Sequence, residues 1–200
     1  MMKKAIIIFV RNPELGKVKT RLAKELGEEK TLEVYNGLLQ HTHDVATKVD
    51  CNKFVYYADS INENDLWEND LFQKRLQAGE ILGDRMMLAF MELFQLEYSK
   101  LLIIGSDCPE LTNFIIDDAF EMLDINDVVV GPSLDGGYYL LGLKKLIPEL
   151  FANKQWSTHT VLADTIKDMV RLQKTCFFLP ELSDIDTLDD LQKYQQMQKI

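Results

Sequence analysis

The chain reads as an α/β protein with a three-layer, Rossmann-like fold, in which helices flank a mixed, mainly parallel central sheet. Two observations predict this class. Short continuous apolar runs, Ala5 to Val10, Asn52 to Ala58, Ser99 to Gly105 and Asn126 to Pro132, suit strands covered on both faces. Stretches with helical spacing lie between them, so strand and helix alternate as in doubly wound sheets.

Each element follows in order. The first run ends at Arg11 and Pro13, too soon for a signal-peptide core or a membrane span, so it reads as a buried strand. A basic loop then leads into a helix whose first turn should include Lys19, Thr20 and Arg21. Leu32, Tyr35, Leu38, Leu39, Thr42, Val45, Ala46 and Val49 keep one face of a second helix apolar. A short strand around Lys74 to Ala78 precedes LGDRMMLAFMELFQLEY, which reads as a deeply buried helix, its methionines serving as core filler. After Pro132 the rhythm changes. SLDGGYYLLGL sets a Gly-Gly turn directly before another strand, with too few residues for a crossover, so the sheet should be mixed. Helices around Leu146 to Phe151 and Ser157 to Val170, a strand in KTCFFLP and a last helix from Thr187 complete the sketch.

With 200 residues, 46% of them hydrophobic, the chain can bury one sizeable core, and no linker-like stretch interrupts it; one domain over residues 1–200 is expected. The net charge of -10 argues against binding nucleic acid or an acidic membrane, which takes broad basic surfaces. Cys51, Cys108 and Cys176 are odd in number and widely spaced, which fits neither a disulfide framework nor a zinc site and points to a reducing cytoplasm. His41 and His43 do not share a helix face and His159 stands alone, so the histidines make no metal site.

Loops that follow strands are where open α/β sheets bind ligands, and three of them carry chemistry. The first, FVRNPELGKVKTRL, concentrates Arg11, Lys17, Lys19 and Arg21 in an acidic chain. It is not a Walker loop, because Arg11 replaces the first glycine and Val18 follows Lys17. It is either a solvated basic helix start or an anion site. The second, GSDCPEL, presents Asp107, either as a cation ligand or as a turn or cap residue for the next helix. The third, LSDIDTLDDL, sets Asp184 and Asp186 two apart, where both can face one metal, while Asp186 or Thr187 can also cap the last helix. Three aspartates and a cationic loop suit Mg²⁺-dependent nucleotide chemistry.

The ordered motifs RNPELGKVKTRL, QAGEILGDRMMLAF, IIGSDCPEL, GPSLDGGYYLLGL, WSTHTV and LSDIDTLDDL resemble the nucleotide-diphospho-sugar transferase superfamily with the GT-A fold. More narrowly, the chain resembles a bacterial family of glycosyltransferases, a domain of unknown function associated with radical-SAM and selenodomain proteins. It is more distantly similar to 2-phospholactate and phosphoenolpyruvate guanylyltransferases, which share a Lys-Thr-Arg-Leu loop, an Asp-x-Pro motif and a late Asp-x-Asp-Thr. The resemblance implies phosphate roles for Lys17, Lys19 and Arg21, and Mg²⁺ or Mn²⁺ ligation by Asp107, Asp184 and Asp186. It makes Lys19, Arg21 and Asp107 the catalytic candidates. One departure stands out: the glycosyltransferase Asp-x-Asp place reads Ser106-Asp107-Cys108-Pro109, without the first acid.

The remaining motifs extend the site. Arg11, Gly16, Gly79 and Arg85 join the nucleotide-binding set; the glycines allow close backbone approach, and Arg85 either reaches phosphate or pairs with Glu80 or Asp84. Asp135, Gly136 and Gly137, with Trp156, Ser157 and Thr158, form the acceptor set, against plain turn and capping roles. The expectation is a Mg²⁺-dependent, cytoplasmic transferase moving a sugar from a nucleotide sugar to a small acceptor. The alternatives are nucleotidyl transfer from an NTP with release of pyrophosphate, and a nucleotide-binding module without catalysis.

Overall fold

Strand β1 (Lys4–Val10) is the centre from which the fold grows in both directions. The computed structural model describes residues 3–197. On one side β1 pairs in parallel with β2 (Asn52–Tyr57), which pairs in parallel with β3 (Phe72–Leu76). On the other side it pairs in parallel with β4 (Lys100–Ile104). Among the described residues, strands β5 (Val128–Pro132), β6 (Tyr138–Leu143) and β7 (Cys176–Phe178) complete a seven-stranded sheet in the order β3-β2-β1-β4-β6-β5-β7. As the short connection before Tyr138 predicts, β6 runs antiparallel to both β4 and β5.

Side chains of β1 alternate between two cores, as the two-residue period of a strand requires. Ile6, Ile8 and Val10 pack with helices α2 (Glu28–Thr47) and α4 (Asn113–Ile125). Ala5 and Ile7 pack on the opposite face with α3 (Leu82–Gln95) and α5 (Val161–Arg171). The sheet is thus covered on both sides, giving the expected three layers. A third, smaller cluster joins α1 (Thr20–Leu26) to α6 (Leu188–Met197) through Leu22, Leu38, Ile185 and Leu191. It pins the segment before α6 against the helix that follows the basic loop.

Two expectations are corrected. Residues 146–151 form only a short 3₁₀ turn (Pro148–Leu150), because Pro148 gives no amide to an α-helical ladder. Lys19 precedes the first turn of α1, as its cap residue in a left-handed conformation (φ 46, ψ 48). Among the described residues no helix is long and apolar enough to cross a membrane.

Candidate active site

Strand order reverses between β1 and β4, and there, at their carboxyl ends, a cavity of about 700 Å³ opens. That volume lies within the usual range of small-molecule sites, about 300–1,000 Å³.

The basic loop forms one wall. Its start is held by Tyr35 of α2: the Arg11 amide donates to the phenol oxygen (3.0 Å), and the phenol donates back to the Arg11 carbonyl (3.1 Å). Arg11, Lys17, Lys19 and Arg21 all line the cavity. Lys17 pairs with Glu14 at 2.6 Å on the surface. Lys19 turns inward, its side chain only 6% exposed, and its ammonium bridges Asp107 Oδ2 at 2.8 Å and Asp186 Oδ1 at 2.7 Å. Arg21 stands farther out, 3.8 Å from Asp186 Oδ2. Burial alone would lower the Lys19 pKa, but the charges and hydrogen bonds of Asp107 and Asp186 outweigh it and hold it above the ordinary value.

The acidic loops form the opposite wall. β4 ends at Ile104 and delivers Asp107 into the cavity, while capping of α4 falls to Thr112, whose hydroxyl accepts from the Ile115 amide. The third loop is fixed by main-chain bonds: Leu182 N–H to Pro132 O, and Ile185 N–H to Asp107 O. Thr187 and Asp190 exchange bonds as a capping box for α6, with the Thr187 hydroxyl donating to Asp190 and accepting from the Asp190 amide. That leaves Asp186 for Lys19. Asp184 takes a different partner, accepting from the Ser133 hydroxyl at 2.6 Å. Burial, with Asp107 and Asp135 nearby, raises its pKa to about 6 despite that bond and Lys19.

On the far side, Asp135, Gly137, Trp156, Ser157 and Thr158 line the cavity. Asp135 Oδ1 accepts from the Gly137 amide (2.8 Å), which tightens the turn between β5 and β6. Gly136 sits at φ 88 with its α-carbon against the His159 carbonyl, a place that leaves no room for a β-carbon. Gly16, Gly79 and Gly136 do not line the cavity; they shape turns beside it. Arg85 does line it, and of its two expected partners it takes neither. Nε donates to the Gly79 carbonyl and a terminal nitrogen to Gln77 Oε1. Gln77 is itself anchored, its amide donating to the carbonyls of Val10 and Tyr56.

Sequence reasoning missed Tyr35, Gln77, Ser133 and Tyr138. Tyr35 was read only as part of an apolar stripe; a phenol among aliphatic residues was the available signal. Tyr138 lines the cavity, where its hydroxyl lies 3.9 Å from the Met86 sulfur.

Among the described residues no three His, Cys, Asp or Glu side chains converge tightly enough to cage a metal ion. Two of the three expected ligands nevertheless converge on one cation, since Asp107 and Asp186 share the Lys19 ammonium. Carboxylate oxygens so arranged fit a hard divalent ion.

The sequence profile of the family described as "Uncharacterized protein conserved in bacteria (DUF2064)" matches residues 41–158. Among solved structures, the chain is similar to a protein of Desulfovibrio desulfuricans G20 assigned to the nucleotide-diphospho-sugar transferases. They share 30% identity and a TM-score of 0.91 over 100% of this chain and 89% of that one. It is also similar in fold to a CMP:2-keto-3-deoxy-manno-octonic acid synthetase complexed with CTP (11% identity, TM-score 0.61, 98% of each chain). A third likeness is to Rv0371c of Mycobacterium tuberculosis H37Rv in complex with manganese (12% identity, TM-score 0.62, 98% of this chain and 99% of that one). No curated protein matches the chain by sequence.

Proposed function

The chain belongs to this bacterial family and is a transferase, and from that premise we propose that it moves a sugar from a nucleoside-diphosphate sugar to a small acceptor with the help of Mg²⁺ or Mn²⁺. The observation that carries the reading is the meeting of a basic and an acidic loop, through Lys19, Asp107 and Asp186, at the carboxyl ends of β1 and β4.

In this reading Arg11, Lys17, Lys19 and Arg21 hold the nucleotide phosphates, with Arg85 on the nucleoside side. Lys19 and Arg21 then neutralise charge growing on the departing diphosphate, which is where fixed cations lower a barrier most. Asp107, Asp184 and Asp186 would hold the divalent ion, which when bound supplies further positive charge against phosphate oxygens. Asp135 and the Gly137 backbone orient the acceptor, and Trp156, Ser157 and Thr158 close the far side against water. The protein acts as one domain, in a cytoplasm that keeps its three cysteines free.

One observation favours a second reading, nucleotidyl transfer: Gly105, two residues before Asp107, stands where the glycosyltransferase Asp-x-Asp carries its first acid. A thermal-shift panel of NTPs and nucleotide sugars with Mg²⁺ separates the two. A ligand at 100 times its Kd adds about 2.7 kcal/mol of stability. Preference for nucleotide sugars supports sugar transfer and preference for NTPs supports nucleotidyl transfer. No response to any nucleotide rejects both.

A further inference from the structure

We propose that Lys19 is a built-in occupant of the cation position, so that Asp107 and Asp186 receive a divalent ion only after an incoming phosphate has drawn the ammonium away. The proposal rests on the nucleotide reading above for the source of that phosphate, and on the geometry of this chain for the rest.

The ammonium lies between the two carboxylates, 2.8 Å from Asp107 Oδ2 and 2.7 Å from Asp186 Oδ1, on a side chain that is 6% exposed. A divalent ion on the same oxygens sits at about 2.0–2.1 Å for Mg²⁺. Both cations on one oxygen pair would bring like charges into contact in a partly buried cleft, where repulsion is poorly screened. The two occupants therefore exclude each other.

The backbone of Lys19 points the same way. Its left-handed conformation (φ 46, ψ 48) is uncommon for a residue with a β-carbon. No side chain caps the helix that follows; the Lys19 carbonyl accepts from the Ala23 amide at 2.9 Å, and the two ion pairs fix its side chain. A phosphate entering beside Arg11 and Arg21 offers the ammonium a new partner. Asp184, bonded to Ser133, lines the same cavity.

By linkage, phosphate and metal must then raise each other's affinity by the same factor. The free protein should bind metal poorly, and the metal should arrive with the phosphate or after it.

The test is Mn²⁺ binding followed by electron paramagnetic resonance, without nucleotide. Lys19→Met should bind Mn²⁺ at least about tenfold tighter than the parent, within the usual span of allosteric coupling. Inorganic pyrophosphate should bring the parent up towards the variant, and Lys19→Arg, which keeps a cation in place, should stay as weak as the parent. Adding Asp186→Asn to Lys19→Met should abolish the gain. Equal Mn²⁺ affinity in parent and Lys19→Met overturns the proposal, as does a gain that survives Asp186→Asn. If Lys19→Met fails to fold, the parent alone decides: Mn²⁺ affinity that does not change with pyrophosphate refutes the exclusion. No arm uses a nucleotide, so a silent nucleotide panel would sink the transferase reading and leave this test standing.

Discussion

Tyr35→Phe removes one oxygen atom from a buried position and should weaken both the fold and the proposed nucleotide site. Tyr35 is 3% exposed, and its phenol makes the two bonds, 3.0 and 3.1 Å, that tie the Arg11 peptide to α2. Burial raises the phenol's pKa, so it remains a donor throughout the neutral range. Each such bond contributes about 0.5–1.5 kcal/mol, so losing both should remove about 2 kcal/mol. For a chain of this size that is a fall in Tm of roughly 4–8 °C. The ring stays, so its apolar packing with Leu39 and its neighbours should survive. The basic loop, however, loses the clamp at its first residue, and nucleotide affinity should fall along with stability. Calorimetry and nucleotide titration on the purified variant read the two effects. An unchanged Tm would show that water replaces both bonds at no loss. A lowered Tm with unchanged affinity would refute the link between this clamp and the ligand.

Two further outcomes follow from the same structure. Leu22→Ala, at a fully buried position in the cluster that joins α1 to α6, should cost about 2–5 kcal/mol in urea unfolding, and parental stability would show that this cluster does not pin the segment carrying Asp186. His43 is 11% exposed and bonded to Asp44 and Glu68; burial lowers its pKa, but those bonds and charges outweigh it and hold it above 6.5. With the folded pKa raised, its contribution is complete below about pH 6.5 and is lost as pH rises through the folded value. A Tm profile from pH 5 to 9 should therefore decline on that limb and flatten in His43→Asn; identical slopes in both proteins would contradict it.

The fold was legible because the strands of a doubly wound sheet are buried on both faces and stand out as unbroken apolar runs. The antiparallel β6 was legible too, since the turn through Asp135 and Gly137 leaves no length for a crossover. Residues 146–151 misled because their apolar spacing fits a helix, while one proline among them limits it to a single tight turn. Asp107, Lys19 and Asp186 were legible as candidates, but their contact was not. It depends on Leu22, Ile185 and Leu191 meeting in space, and no local pattern encodes a pairing across 167 residues. Tyr35 was hidden for another reason: helical periodicity reports which face is buried and says nothing about where a phenol's oxygen ends.

That separation of 167 residues between Lys19 and Asp186 also sets a clock. At about 5–20 residues per second, a ribosome needs roughly 10–30 s between adding the lysine and adding its distant carboxylate. Throughout that interval Lys19 lacks its Asp186 partner. β1 to β4 can already be pairing while the cleft is still half-built. The nascent chain therefore carries Lys19 well before the carboxylate that completes its pair of ionic contacts.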